Sequence, residues 1–247
     1  MGDLSWLIQR PVAHRGLHDA SCGVIENSPS AVEAAIAAGF SVEVDIQLAR
    51  DGEAMVYHDF VLDRLTQGAG PLAQQSRAQL EQVRFRATDD RMMSLPDLLA
   101  RVDGRAPLLI EIKSAFTGDV RLALRAASLL AGYRGPAALM SFDPEMLSAV
   151  RDAAPDLTRG IVAERRYVHG EWDGLSAGTK RVLRHLLHWP KTRFQFIAYR
   201  AADLPVPPIR LARALGFPVL AWTVRRPADW EAAKTFADQM IFEGFRP

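Results

Sequence analysis

Short apolar runs alternate with amphipathic stretches from one end of the chain to the other, and that alternation leaves few folds open. Each apolar run suits a strand buried on both faces, and each amphipathic stretch needs a surface on which to lay one side. A mostly parallel sheet covered by helices satisfies both demands, which sets the fold class as α/β. Strands are expected at residues 12–14, 41–46, 54–57, 108–112, 137–141, 159–162, 194–198, 219–223 and 240–242. Helices are expected at 28–38, 76–83, 119–130, 144–153, 180–188, 208–215 and 227–236. The clearest is 28–38, with Asn27 as its N-cap, Pro29 in the first turn and Gly39 as a stop signal.

One connection departs from a plain strand–helix–strand series. Only the stretch 47–54 joins the second strand to the third, far too little for a crossover helix. Asp51-Gly52 is a two-residue hairpin signal, so the third strand is expected to return antiparallel. If Arg50 then faces Glu53, Asp45 falls opposite His58, with Cβ atoms roughly 5 Å apart. Setting that strand aside leaves about eight parallel ones, the number that closes a TIM-type (β/α)8 barrel of ~250 residues. A doubly wound open sheet is the alternative. With no linker and no repeat in its 247 residues, the chain reads as a single domain over 1–247, with a loop and helix insertion around 59–106.

Composition narrows the partners. A formal net charge of +1 supplies no field for nucleic acid, and 49% hydrophobic with 24% charged residues is ordinary for a globular protein. The lone cysteine, Cys22, excludes an intramolecular disulfide framework, and residues 1–10 are too polar for a secretory segment. A cytoplasmic location is the expectation. The basic stretch 180–189, rich in Leu and ending in Trp189, reads first as an ordinary barrel helix and second as a weak interfacial contact with anionic lipid.

Chemistry-bearing residues gather at the ends of the expected strands. The first delivers His14-Arg15-Gly16, and the second reads Val42-Glu43-Val44-Asp45-Ile46, with both carboxylates on one face. The hairpin return ends in Tyr57-His58-Asp59, and a later strand reads Ile110-Glu111-Ile112-Lys113. In a TIM barrel, strand C-terminal ends line the active site. Carboxylates converging there need a compensating cation, and Glu43, Asp45 and Glu111 would make an all-oxygen site suited to one divalent ion, Mg²⁺ or Ca²⁺. His14 and His58 can exchange protons near neutral pH, while Arg15 and Lys113 can neutralise a phosphate. That set describes phosphodiester cleavage better than acyl or hydride transfer.

These residues also carry a family resemblance. His14-Arg15-Gly16 followed by Glu26-Asn27-Ser28 resembles the opening motifs of glycerophosphodiester phosphodiesterases. Glu43-Val44-Asp45, Asp51-Gly52 and His58-Asp59 are similar to that family's next block, and Leu62 to Thr66 and Ile110 to Lys113 continue the match. Ser141-Phe142, Trp222-Thr223-Val224 and the closing 241–247 resemble its later strands. Two positions depart: Arg225 stands where the family usually has Asn, and Glu243-Gly244 where it usually has Thr-Asp.

The resemblance implies a TIM barrel with its metal at Glu43, Asp45 and Glu111 and an acid–base pair in His14 and His58. It implies hydrolysis of a small glycerophosphodiester to glycerol 3-phosphate and an alcohol. A related lipid-directed activity, phospholipase D action on lysophospholipids, and an inactive barrel used as a binding module are the alternatives. Ser141, Phe142 and Trp222 are candidate substrate contacts. Asp59 is a candidate orienter of His58, and Glu26 and Asn27 are expected to organise the start of the first helix.

Overall fold

The computed structural model describes residues 3–168 and 170–247. Its strands are β1 (Val12–Ala13), β2 (Ser41–Leu48), β3 (Ala54–Val56), β4 (Leu108–Ile112), β5 (Ala137–Ser141), β6 (Thr158–Ala163), β7 (Phe196–Arg200), β8 (Val219–Val224) and β9 (Gln239–Phe242). Eight of them are parallel and form a closed ring, because β1 pairs with both β2 and β9. Closure removes the free edges of an open sheet and excludes the doubly wound alternative. The ninth, β3, lies outside the ring, antiparallel on β2.

Period-two alternation on β2 sends Val42, Val44 and Ile46 outward against the helices, and β4 does the same with Leu108, Ile110 and Ile112. The inward residues form a separate apolar plug that includes Leu7, Val12, Leu109, Met140, Phe196 and Ile241. A Cβ added at Gly160 would lie 2.1 Å from the Phe196 ring, so the glycine makes room for an aromatic filler of the barrel. With its lower interior filled, the barrel has its cavity at the C-terminal ends of its strands.

Helices occupy the intervals between strands: α1 (Pro29–Ala37), α2 (Arg77–Leu80), α3 (Leu95–Val102), α4 (Arg121–Leu130), α5 (Pro144–Ala153), α6 (Ala177–Arg184), α7 (Trp189–Thr192), α8 (Pro207–Ala214) and α9 (Pro227–Ala233). The cap of α1 is Ser28, whose hydroxyl accepts from the Ala31 amide, and not Asn27 as expected. Inside the 59–106 stretch, α3 has a reciprocal capping box between Ser94 and Asp97, and it buries Leu95, Leu98 and Leu99. The expected helix over 180–188 starts earlier and stops at Arg184, and a separate short helix, α7, follows from Trp189. Trp189 packs against Phe217 and lies beneath the Arg193 guanidinium, which assigns the indole to packing. No helix among the described residues is long and apolar enough to cross a membrane.

The hairpin register differs from expectation by one residue. Gln47 pairs with Met55 and Leu48 with Ala54, and the amide of Tyr57 bonds the carbonyl of Asp45. The turn therefore spans three residues, Arg50 to Gly52, closed by the Ala49 amide on the Glu53 carbonyl. Gly52 supplies the positive φ of 86° at its third position. His58 lies one step beyond the pair, where Gln47 holds its carbonyl oxygen at 2.8 Å.

His188 is buried where α7 begins, its ring beside Phe194 and its Nε2 without a hydrogen-bond partner. Burial pushes its pKa down from 6.5 to about 4. The unfolded chain takes up this proton as pH falls below 6.5 and the folded chain does so only near 4, so stability declines across that window and levels off below it. The difference is worth about 3 kcal/mol. Chemical denaturation from pH 7 to 4 should show the wild type losing roughly that much more stability than His188→Phe.

Candidate active site

The end of β1 is shaped by two successive left-handed residues, Arg15 (φ 56°) and Gly16 (φ 79°). A Cβ at Gly16 would lie 2.7 Å from the Ala31 backbone, so only glycine lets this turn press against α1. The turn aims the Arg15 amide at Glu43 Oε2, 2.8 Å away. Its guanidinium spans Glu26 Oε1 at 2.7 Å and Asp45 Oδ2 at 3.2 Å.

Glu43 and Asp45 point into the barrel from β2, and Glu111 is the register partner of Asp45 on β4. Each of the three offers a carboxylate oxygen such that these atoms lie within 4.8 Å of one another. Asn27, also left-handed, grips Asp45 twice: its Nδ2 donates to Oδ2 at 2.9 Å, and its Oδ1 accepts the Asp45 amide at 3.1 Å. Lys113 lies between Asp45 Oδ1 at 3.1 Å and Glu111 Oε1 at 2.8 Å.

Lys113 bridges Asp45 and Glu111, and Arg15 is shared between Asp45 and Glu26, whereas the ion-pair partner of Glu43 among the described residues is His14 Nε2, at 4.0 Å. Burial, then the charges of Asp45 and Glu111, push the Glu43 pKa well above the usual carboxylate range. Its Oε1 is buried without a hydrogen-bond partner. Burial acts on Asp45 in the same sense, but Lys113 and Arg15 outweigh it and hold that carboxyl well below the usual range. An unpartnered carboxylate oxygen inside an all-oxygen cluster that is short of positive charge fits a hard divalent cation.

Both imidazoles are oriented through Nδ1 by carboxylates. His14 Nδ1 lies 2.5 Å from Glu243 Oε2, and His58 Nδ1 lies 2.7 Å from Asp59 Oδ1. With Nδ1–H donated to a carboxylate, Nε2 is left as the exchanging atom of each ring. Burial lowers the pKa of His14; the bond to Glu243 opposes this and the Arg15 charge adds to it. Asp59 is in turn held by Arg64, which also forks onto Glu26. A single chain of charged contacts thus runs from His58 through Asp59, Arg64, Glu26 and Arg15 to Asp45.

His14, Arg15, Glu43, His58, Glu111 and Lys113 line one cavity of about 370 Å³, together with Phe142, Glu164, Arg200, Trp222 and Arg225. A trough of about 570 Å³ shares His58, Glu111, Lys113 and Phe142 with it and is walled by Phe60, Val61, Phe116 and Trp172. Phe142 stands between Trp222 and Trp172, with ring centroids 5.4 and 4.9 Å away. The Ser141 hydroxyl is fully buried, donating to the Ile112 carbonyl and accepting the Asp143 amide, so it is spent on the backbone. Glu243 stands out in the sequence as a departure from the family pattern but not as the partner of His14, and Arg64, Glu164 and Trp172 do not stand out as site residues. Extending the strand-end rule to β9 points to Glu243, whereas Trp172 follows β6 at a distance that no spacing rule predicts.

A closed parallel barrel with acidic and imidazole groups at its C-terminal mouth defines a class of fold, and comparison with known proteins narrows it. The chain belongs to the glycerophosphoryl diester phosphodiesterase family, whose model matches residues 14–244. It is 39% identical over 80 residues to a probable glycerophosphodiester phosphodiesterase 1 of Mycobacterium tuberculosis. That match covers 32% of this chain and 28% of the mycobacterial protein. Among solved structures, it resembles an Oleispira antarctica phosphodiesterase in complex with the product sn-glycerol-3-phosphate, with a TM-score of 0.78, 20% identity and coverage of 96% and 93% of the two chains. A glycerophosphodiester phosphodiesterase from Thermotoga maritima gives a TM-score of 0.70 at 22% identity, covering 95% and 94%. These two likenesses are of fold.

Asn27→Ala removes both bonds to buried Asp45 and should lower unfolding free energy by about 3 kcal/mol. Asn27→Gly, which keeps the left-handed backbone unstrained, should lose most of the same amount in urea titrations. A loss confined to the alanine variant would assign the effect to backbone strain.

Proposed function

We propose that the protein hydrolyses glycerophosphodiesters to glycerol 3-phosphate and an alcohol, using one divalent cation held by Glu43, Asp45 and Glu111. The observation that carries this reading is that Glu43 and Glu111 line one cavity with two carboxylate-oriented imidazoles, while the buried Asp45 converges on the same two carboxylates. Bound there, Mg²⁺ or Ca²⁺ would neutralise the carboxylate cluster and act as a Lewis acid toward a phosphoryl oxygen.

The chain's own residues supply the rest. Lys113 and Arg15 add positive charge beside the carboxylates, where a phosphate diester brings further negative charge. One imidazole Nε2 takes the proton of an attacking glycerol hydroxyl, and the other gives a proton to the departing alcohol oxygen. Water then opens the cyclic phosphate as the two rings exchange roles. Glu243 and Asp59 keep each ring in the tautomer that presents Nε2, and each stabilises the imidazolium form when it arises.

The aromatic trough favours a second reading, in which the diester carries an acyl chain and the activity is that of a lysophospholipase D. Phe60 and Val61 are exposed at its wall, as an apolar chain would require.

Release of glycerol 3-phosphate from glycerophosphocholine should need Mg²⁺ or Ca²⁺ and stop with chelator; no release under any condition would refute the enzymatic reading. Turnover of a lysophospholipid faster than glycerophosphocholine would select the second reading. His14→Ala and His58→Ala should each lower kcat roughly a thousandfold while leaving the cation-induced rise in Tm in place. Glu43→Gln should fold but lose that rise, a readout independent of activity.

A further inference from the structure

Arg225 and Glu243 are the first residues beyond β8 and β9, and the Glu243 amide bonds the Val224 carbonyl between them. Arg225 Nε donates to Glu243 Oε1 at 2.7 Å, while the other carboxylate oxygen holds His14. Among the described residues, only Nε of this guanidinium has a hydrogen-bond partner, so its two terminal nitrogens face solvent at the rim of the cavity. The side chain is 63% exposed. A guanidinium fixed by one edge with a free terminal fork is shaped to take a carboxylate or phosphate by two parallel hydrogen bonds.

The ring order places this fork relative to the reacting phosphorus. In the sequence of strands β1, β2, β4, β5, β6, β7, β8 and β9, β4 stands opposite β8 and β2 opposite β7. The carboxylate cluster and Lys113 belong to the β2–β4 side. With a phosphate beside the β2–β4 groups, as the phosphodiesterase reading requires, Arg225 would face a substituent carried across the barrel mouth. Arg200, at the end of β7, stands on the same wall with its charge set against that of Glu164. The acidic residue of that wall, Glu164, is paired with Arg200 at 3.5 Å and accepts the Tyr167 amide, so its charge is already answered.

We propose that Arg225 is a specificity-determining residue that selects diesters whose second alcohol carries an anionic group, a carboxylate or a phosphate. This rests on the phosphodiesterase reading and deepens it. An anionic substituent docks on the terminal fork, while a quaternary ammonium meets like charge there. Glu243 holds the fork in place and prevents the guanidinium from folding down onto the reacting phosphate.

The test uses three glycerophosphodiesters that differ only in the second alcohol: glycerate, glycerol and choline. Glycerate and glycerol have nearly the same shape, so their kcat/KM ratio isolates the carboxylate. The wild type should favour the glycerate diester at least tenfold over the glycerol diester, mostly through KM, with choline last. Raising ionic strength should shrink the preference. Arg225→Gln should bring the glycerate-to-glycerol ratio close to one, and Arg225→Lys should restore part of it. A merely structural role, acting through Glu243 on His14, would lower kcat for all three diesters and leave the ratio unchanged. No anion preference in the wild type, or an unchanged ratio in Arg225→Gln, overturns the proposal while the phosphodiesterase reading survives. If none of the three is hydrolysed with either cation, that reading fails and this one fails with it.

Discussion

The convergence of the buried carboxylates of Glu43, Asp45 and Glu111 above an apolar plug is the constraint around which the rest of this molecule is arranged. Carboxylates so close together, and so far from bulk water, repel strongly and are poorly solvated. The chain answers with positive charge in graded amounts. Lys113 bridges two of them, Arg15 reaches a third contact through Asp45, and Asn27 contributes two neutral hydrogen bonds. The answer leaves Glu43 least compensated, with its Oε1 buried and unpartnered. A cation placed there would offset a repulsion that the fold alone leaves in place.

Around this centre the mouth of the barrel is divided by chemistry. Toward β4 and β5 lies the aromatic trough, with His58 on its wall. Toward β7 and β8 lie two guanidinium groups and a carboxylate, with His14 bonded to Glu243 on the adjoining strand. Phe142 and Trp222 meet edge to face near the boundary, at the ends of β5 and β8. The two histidines are thus alike in their Nδ1 partners and unlike in their surroundings. On the proposed reading, such asymmetry would let one phosphate present two dissimilar substituents to two different walls.

Much of this was legible in the sequence, because the governing patterns are periodic. Alternation on Val42 to Ile46 and on Leu108 to Ile112 assigns each residue to a face, and both strands obey it in the structure. The antiparallel return after Asp51-Gly52 was legible as well, since no helix fits so short a connection. What failed was local geometry. A three-residue turn and a two-residue turn share the same Asp-Gly signal, and the choice between them moved the partner of Asp45 from His58 to Tyr57. Asn27 and Ser28 are both good caps, and the hydroxyl took that role because the amide had a buried carboxylate to hold. Long-range partners such as Glu243 on His14, 229 residues apart, carry no spacing signal at all.

The position of β3 has a consequence for how such a site can change over time. His58 is delivered by a strand that hydrogen-bonds to the ring without belonging to it, whereas the carboxylates are built into the ring itself. The Arg50 to Gly52 turn can therefore vary in length without opening the ring or disturbing the β2–β4 pairing that sets Asp45 beside Glu111. The carboxylate cluster and the His58 imidazole thus rest on separate backbone pairings, one inside the closed ring and one outside it.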